Sequence, residues 1–140
     1  MIKDQALRRL LRFDFALCLA CSLPGIVAPG WLAGFLLPDQ DSLFGFPMAT
    51  VMLELGIVLA AYAILLLAVS FRGSIPRAFV AVTIAGDAAW VIGTLALLAA
   101  HGATFSLGGI IALLVVAVDT GLLGLLKARA LRGSAQPAAA

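Results

Sequence analysis

Polar and apolar positions fall into four long apolar blocks along the chain, at about residues 11–28, 48–71, 78–100 and 103–126. Each is close to the ~20 residues a helix needs to cross a ~30 Å hydrocarbon layer. The stretches between them, "APGWLAGFLLPDQDSLFGFP", "RGSIPR" and "HGA", are short and each carries Gly or Pro, the residues that end regular structure. The pattern predicts an all-α, polytopic membrane protein: a four-transmembrane-helix bundle forming one domain over residues 1–132. Residues 133–140 are expected to be a disordered cytoplasmic tail. Pro24, Gly25, Pro29 and Gly30 interrupt the first block, so a kink or an early helix end is expected near Pro24. Just beyond, Trp31 and Phe35 stand one helical turn apart, which suits a short interfacial segment at about 30–37.

Composition sharpens this reading. The 140 residues are 64% hydrophobic and only 11% charged, too few polar side chains to cover a water-exposed surface. Lipid is the expected solvent and partner. The net charge of +2 comes with no basic groove interleaved with aromatics, so nucleic acid is not an expected partner.

Charge placement predicts the threading. Of the 9 Lys and Arg residues, Lys3, Arg8, Arg9 and Arg12 precede block one, Arg72 and Arg77 bracket the second connection, and Lys127, Arg129 and Arg132 follow block four. Basic residues stay on the cytoplasmic side, so both termini are expected there, with Asp39, Asp41 and His101 facing outward. The halves show no internal repeat of the kind that marks inverted-repeat transporters.

Within the blocks, each span holds one carboxylate: Asp14, Glu54, Asp87 and Asp119. Such groups are costly in a bilayer and call for a reason. At the rise of a helix, Asp87 falls ~16 Å from Pro76, near mid-membrane, and Glu54 ~9 Å inside the outer end of its span. Thr83, Asp87, Thr94 and His101 recur at helical spacing as a polar stripe. Beside them Ala81, Ala85, Ala89 and Gly93 form a small-residue ridge that suits close approach of a second helix. On that ground span three is expected at the centre of the bundle. The Thr50/Glu54 face of span two and the Asp14/Cys18/Cys21/Gly25 face of span one are expected to turn inward with it.

Two readings of the carboxylates follow. One is a ladder of protonatable groups, Asp14 and Asp119 below, Asp87 midway, Glu54 and His101 above, serving proton or cation movement. The other is interhelical attachment, with Asp87 facing the bundle as a neutral, protonated acid that hydrogen-bonds to Thr or backbone carbonyls across helices, Asp14 and Asp119 paired to basic residues at the cytoplasmic edge, and His101 simply interfacial.

Cys18 and Cys21 form a CxxC inside span one. A quinone-linked thiol oxidoreductase is one reading of that spacing. Against it, the pair is expected ~10–15 Å from the cytoplasmic edge, away from partner thiols, and the sequence holds no second pair to relay electrons. Metal binding is opposed by the lack of a nearby His or further Cys to complete a tetrahedral site. Lipid attachment at Cys21 is opposed by Asp14 within the apolar segment and by Cys18 three positions earlier. Small, weakly polar packing residues are the expectation. No catalytic cluster and no cofactor is indicated.

The stretches "LRRLLRFDFALCLACSLPGIVAPGWLAGFLLP" and "AGDAAWVIGTLALLAA" resemble those of small bacterial four-helix inner-membrane proteins of the DoxX-like type, in layout across nearly the whole chain and in the residues Arg12-Phe13-Asp14 and Gly86-Asp87-Ala88-Ala89-Trp90. The resemblance implies a bacterial inner membrane and carries no catalytic motif. Three function classes stand at this point. They are a non-enzymatic accessory or assembly protein with a membrane-protein partner or a second copy of itself, a small proton- or cation-coupled transporter or channel, and the thiol enzyme. The first is the expected one.

Overall fold

The computed structural model describes residues 5–43 and 45–133, so Lys3 and the tail from residue 134 onward lie outside the described residues. Four long helices dominate: α1 (Gln5–Val27), α3 (Met48–Ser70), α4 (Arg77–His101) and α5 (Leu107–Gly133), with a short α2 (Pro29–Leu36) between the first two. All four long helices have the length and apolar composition of membrane spans. The all-α, four-helix, multi-pass architecture is therefore as the apolar blocks predict.

Local chemistry explains the starts of three helices. Pro47 and Pro76 stand immediately before α3 and α4, where a missing N–H costs nothing. Ser106 caps α5: its Oγ accepts the Gly109 N–H at 2.8 Å and donates to the Phe35 carbonyl at 2.5 Å, which ties the end of α2 to the start of α5. Between α2 and α3 a small antiparallel hairpin pairs β1 (Ser42–Leu43) with β2 (Phe46–Pro47), an element the apolar pattern does not predict. Gly45 turns it with φ 84°, a conformation other residues rarely adopt.

Several boundaries differ from expectation: α1 starts at Gln5, six residues before its apolar block, and α5 at Leu107, four residues into its own. Pro24 lies within α1, which closes only at Val27, and the chain enters α2 almost directly through the Ala28 N–H to Pro24 carbonyl bond. More consequentially, α5 continues to Gly133, seven residues past the apolar block. Ala128, Ala130 and Leu131 are good helix formers and carry the helix through Lys127.

Packing follows the order α3, α1, α5, α4. The α1–α3 contact is set by two glycines. A Cβ on Gly25 would stand 2.8 Å from the Met52 carbonyl oxygen, and one on Gly56 3.0 Å from that of Ser22, so only hydrogen at both positions permits this approach. At the end holding the termini, all four long helices close on an apolar core that includes Leu7, Leu11, Leu66, Val69 and Val80. The Arg8 guanidinium there donates to the carbonyls of Ser70 and Gly73 at 3.0 and 2.7 Å, clasping the α3–α4 connection.

Span three is not central, contrary to the small-residue ridge. Ala81, Ala85, Ala89 and Gly93 are exposed, and a Cβ on Gly93 would meet nothing within 4 Å. The reason is competition between two faces of one helix: α4 turns its Thr83/Asp87/Thr94 stripe toward α5, which leaves the ridge outside. Glu54 is likewise exposed. The inward face of α3 is set by Met48, Met52 and Gly56, and Glu54, two residues from the last two, lies on the opposite side of the helix.

Candidate functional site

Three ionisable side chains meet inside the bundle. Lys127 on α5 places its Nζ 2.5 Å from Asp14 Oδ2 on α1 and 2.6 Å from Asp87 Oδ2 on α4. Lys127 is 0% exposed, Asp14 2% and Asp87 5%, so the group is sealed from bulk water.

Helix direction accounts for the meeting point. Side chains lean toward the start of their helix. Because α5 ends where α1 begins, the Lys127 stem leans from its position ~9 Å inside the end of α5 further into the bundle, toward carboxylates ~14–15 Å along α1 and α4. Gly124, one turn before Lys127 on the same buried face, makes room: a Cβ there would stand 3.1 Å from Asp87 Cβ and 3.3 Å from its Oδ2. The Cys18 Sγ donates to Asp14 Oδ1 at 3.6 Å, a long sulfur hydrogen bond that occupies the second oxygen of that carboxylate. Asp87 Oδ2 faces the ammonium without the alignment of a hydrogen bond.

The charges do not cancel. One ammonium balances one carboxylate, and with both carboxylates ionised one negative charge is left over in a low-dielectric setting, where it is expensive. A proton, or a second cation, is what would neutralise it.

A cavity of about 260 Å³ adjoins the triad, lined at one end by Asp14 and Asp87 and elsewhere by Cys18, Cys21, Tyr62 and Trp90. Aliphatic side chains from all four long helices and the hydroxyl-bearing Thr120 complete it. From Asp14 to Cys21 it extends ~10 Å along α1, away from the termini. α3 and α4 are not a closely packed pair, and Val82 and Trp90 on the cavity wall are 69% and 43% exposed, so the cavity opens sideways between these two helices.

The structure thus sorts the sequence candidates. Asp14 and Asp87 come together, and Thr83 and Thr94 share the buried stripe of Asp87. Thr83 donates to the Val80 carbonyl of its own helix at 2.9 Å and does not bridge helices, so Asp87 is met by the Lys127 ammonium in place of the Thr or carbonyl hydrogen bonds expected of it. Glu54 and His101 are exposed, and Asp119 is half-buried with no ion-pair partner among the described residues, so the ladder of five groups is not assembled. Of the two basic-edge pairings expected, Asp14 forms one and Asp119 does not. The cysteines are free thiols packed along the cavity wall.

Lys127 is the residue that sequence reasoning missed, placing it in a cytoplasmic edge cluster with Arg129 and Arg132. Two signals pointed to it. Two carboxylates destined for the bundle interior demand a counter-cation, and Lys127 follows Gly124 at a spacing of one turn. No protein-family model, curated protein or solved structure matches the chain.

Proposed function

We propose that this chain is a non-enzymatic integral protein of a bacterial inner membrane, with both termini cytoplasmic, acting as an accessory or assembly subunit. The observation that carries the reading is the Lys127 ammonium held between Asp14 and Asp87, which joins α1, α4 and α5 through three side chains sealed from water. Buried ion groups of this kind fix which helices pair and in what register. Apolar surface alone does this poorly in lipid, where the surrounding tails are equally apolar.

A partner is supported by what the single chain leaves outside. Glu54 is exposed on a membrane span among exposed Leu55, Ile57 and Val58. An acidic group in that setting costs about 2.5–3.5 kcal/mol at the middle of a bilayer and less toward its edge. The exposed Ala81/Ala85/Ala89/Gly93 ridge is the kind of surface on which a second helix packs closely. Extraction from native membranes in mild detergent, followed by sizing, tests this. An accessory subunit travels with a larger membrane complex, and a chain that runs as a lone monomer under conditions that keep other complexes intact contradicts the reading.

The cavity beside the carboxylates favours a second reading, a small proton- or cation-coupled carrier. Against it stands the apolar core between the triad and the end holding the termini, which offers no polar route from Asp14 or Asp87 to that side.

A further inference from the structure

We infer that the cavity between α3 and α4 binds a small lipophilic organic cation, an aromatic ammonium compound that enters sideways from the bilayer. Four features of the site carry this. Asp14 and Asp87 both line the cavity while Lys127 does not, so the charge presented to a guest is acidic. Fully ionised, the triad is one positive charge short of balance, and a bound cation supplies that charge without unseating Lys127 from either carboxylate. Tyr62 and Trp90 add two aromatic rings to the lining, and attraction between an ammonium and an aromatic ring strengthens where water is excluded. The rest of the lining is chiefly apolar, matching a hydrocarbon or ring body that already partitions into lipid.

Size and access narrow the class. At about 260 Å³ the cavity sits just below the usual range for drug-sized ligands, which limits the guest to one small ring and its ammonium head. Entry is between α3 and α4, past the exposed Val82 and Trp90. Gly86 lies on the same wall, and a Cβ built there meets no atom within 4 Å. Gly86 stands one turn from both Val82 and Trp90, so a bulky side chain there crowds the cavity mouth, and its Cβ strikes nothing in the protein.

That glycine supplies the test. The full chain, in phosphatidylcholine nanodiscs and carrying Trp31→Phe so that Trp90 is the sole indole, is titrated with benzyltrimethylammonium and with neopentylbenzene, its uncharged carbon isostere. The expected result is a saturable change in Trp90 fluorescence with the cation and at least tenfold weaker binding of the isostere. Asp87→Asn should weaken the cation at least tenfold. Gly86→Leu should abolish binding of both compounds at an unchanged melting temperature, and it decides the matter even if Asp87→Asn does not fold. The proposal is overturned if the wild-type cavity leaves Trp90 unaffected by the cation, if cation and isostere bind alike, or if Gly86→Leu binds the cation as the parent does.

Discussion

Replacing Lys127 by Met keeps an unbranched side chain one atom shorter and removes its charge. The ammonium it deletes stands 2.5 Å from one buried carboxylate and 2.6 Å from another, both almost fully shielded. Taking one partner from a buried ion pair generally costs about 3–5 kcal/mol, because what remains is an uncompensated charge or a carboxyl forced to take up a proton. Two carboxyls are left here, which places the expectation in the upper part of that range. For a chain of this size each kcal/mol moves the melting temperature by roughly 2–4 °C, so Lys127→Met should melt roughly 8–20 °C lower. A companion variant isolates the cause. Converting all three positions to apolar residues (Asp14→Leu, Lys127→Met, Asp87→Leu) removes every buried charge and should recover most of the loss, since apolar replacement of an entire buried ion group is commonly neutral or stabilising. Thermal unfolding in detergent, followed by intrinsic fluorescence and by loss of the monodisperse peak, reads both variants. A Lys127→Met protein melting within about 2 °C of wild type would refute the reasoning. A triple variant no better than the single would show that the cost lies in packing around the lysine stem and not in the stranded charge.

Other consequences are simpler to read. Gly25→Val should destabilise the protein by at least about 2 kcal/mol, because a Cβ at that position lies 2.8 Å from the Met52 carbonyl oxygen. Gly93→Val, with nothing within 4 Å, should leave the melting temperature of the isolated chain near wild type, and equal melting of the two would contradict the α1–α3 packing. The Cys18→Ala, Cys21→Ala variant should insert, fold and retain any phenotype the wild type confers, the deleted Cys18–Asp14 contact being a weak sulfur hydrogen bond. Loss of the phenotype at normal expression would return the thiols to a redox role. A single cysteine placed at Ser42, in the exposed hairpin, should react with an impermeant thiol reagent in intact cells, and labelling only after lysis would reverse the proposed threading. Glu54→Gln should not change the stability of the isolated chain, because Glu54 lies outside the bundle; a drop of several degrees would place it in a contact the single chain does not show.

The helices were legible because their signal is collective. Runs of some twenty apolar residues between Gly and Pro punctuation leave a chain in lipid little choice but helix, whatever each residue prefers alone. Helix faces were only partly legible. On α1 the polar and small residues lie on one side, which points Asp14, Cys18, Cys21 and Gly25 inward; Asp14 and Gly25 are buried, while Cys18 and Cys21 are half-buried at the edge of that face and Ser22 is buried beside them. On α4 two candidate faces competed, and spacing alone does not rank a polar stripe against a small-residue ridge. The structure turns the polar one inward because burying Asp87 beside Lys127 outweighs close backbone approach along alanines. On α3 the lone acidic residue points to the wrong face, because Met52 and Gly56 mark the interior and Glu54 faces away. Lys127 was hidden by an assumption. A lysine shortly after an apolar run normally reaches for the interface, and its inward turn depends on two carboxylates from helices distant in sequence, which the Gly124–Lys127 spacing accommodates but does not identify. The cavity was illegible for a similar reason, since it arises from four helices that close at one end and part between α3 and α4 beyond it.

The central claim is that one lysine ammonium sits between two aspartates inside the membrane, and solid-state NMR of the protein in lipid bilayers measures this directly. With Lys 15N and Asp 13C labels, dipolar recoupling reports the separation of Lys127 Nζ from the carboxyl carbons of Asp14 and Asp87, assigned by Asp14→Asn and Asp87→Asn. The account predicts short-range transfer from Lys127 to both carboxyls, with an ammonium signal that persists after transfer to D2O because the site is sealed from water. A Lys127 signal that transfers to neither carboxyl and exchanges at once, as an ammonium at the membrane surface does, would contradict it.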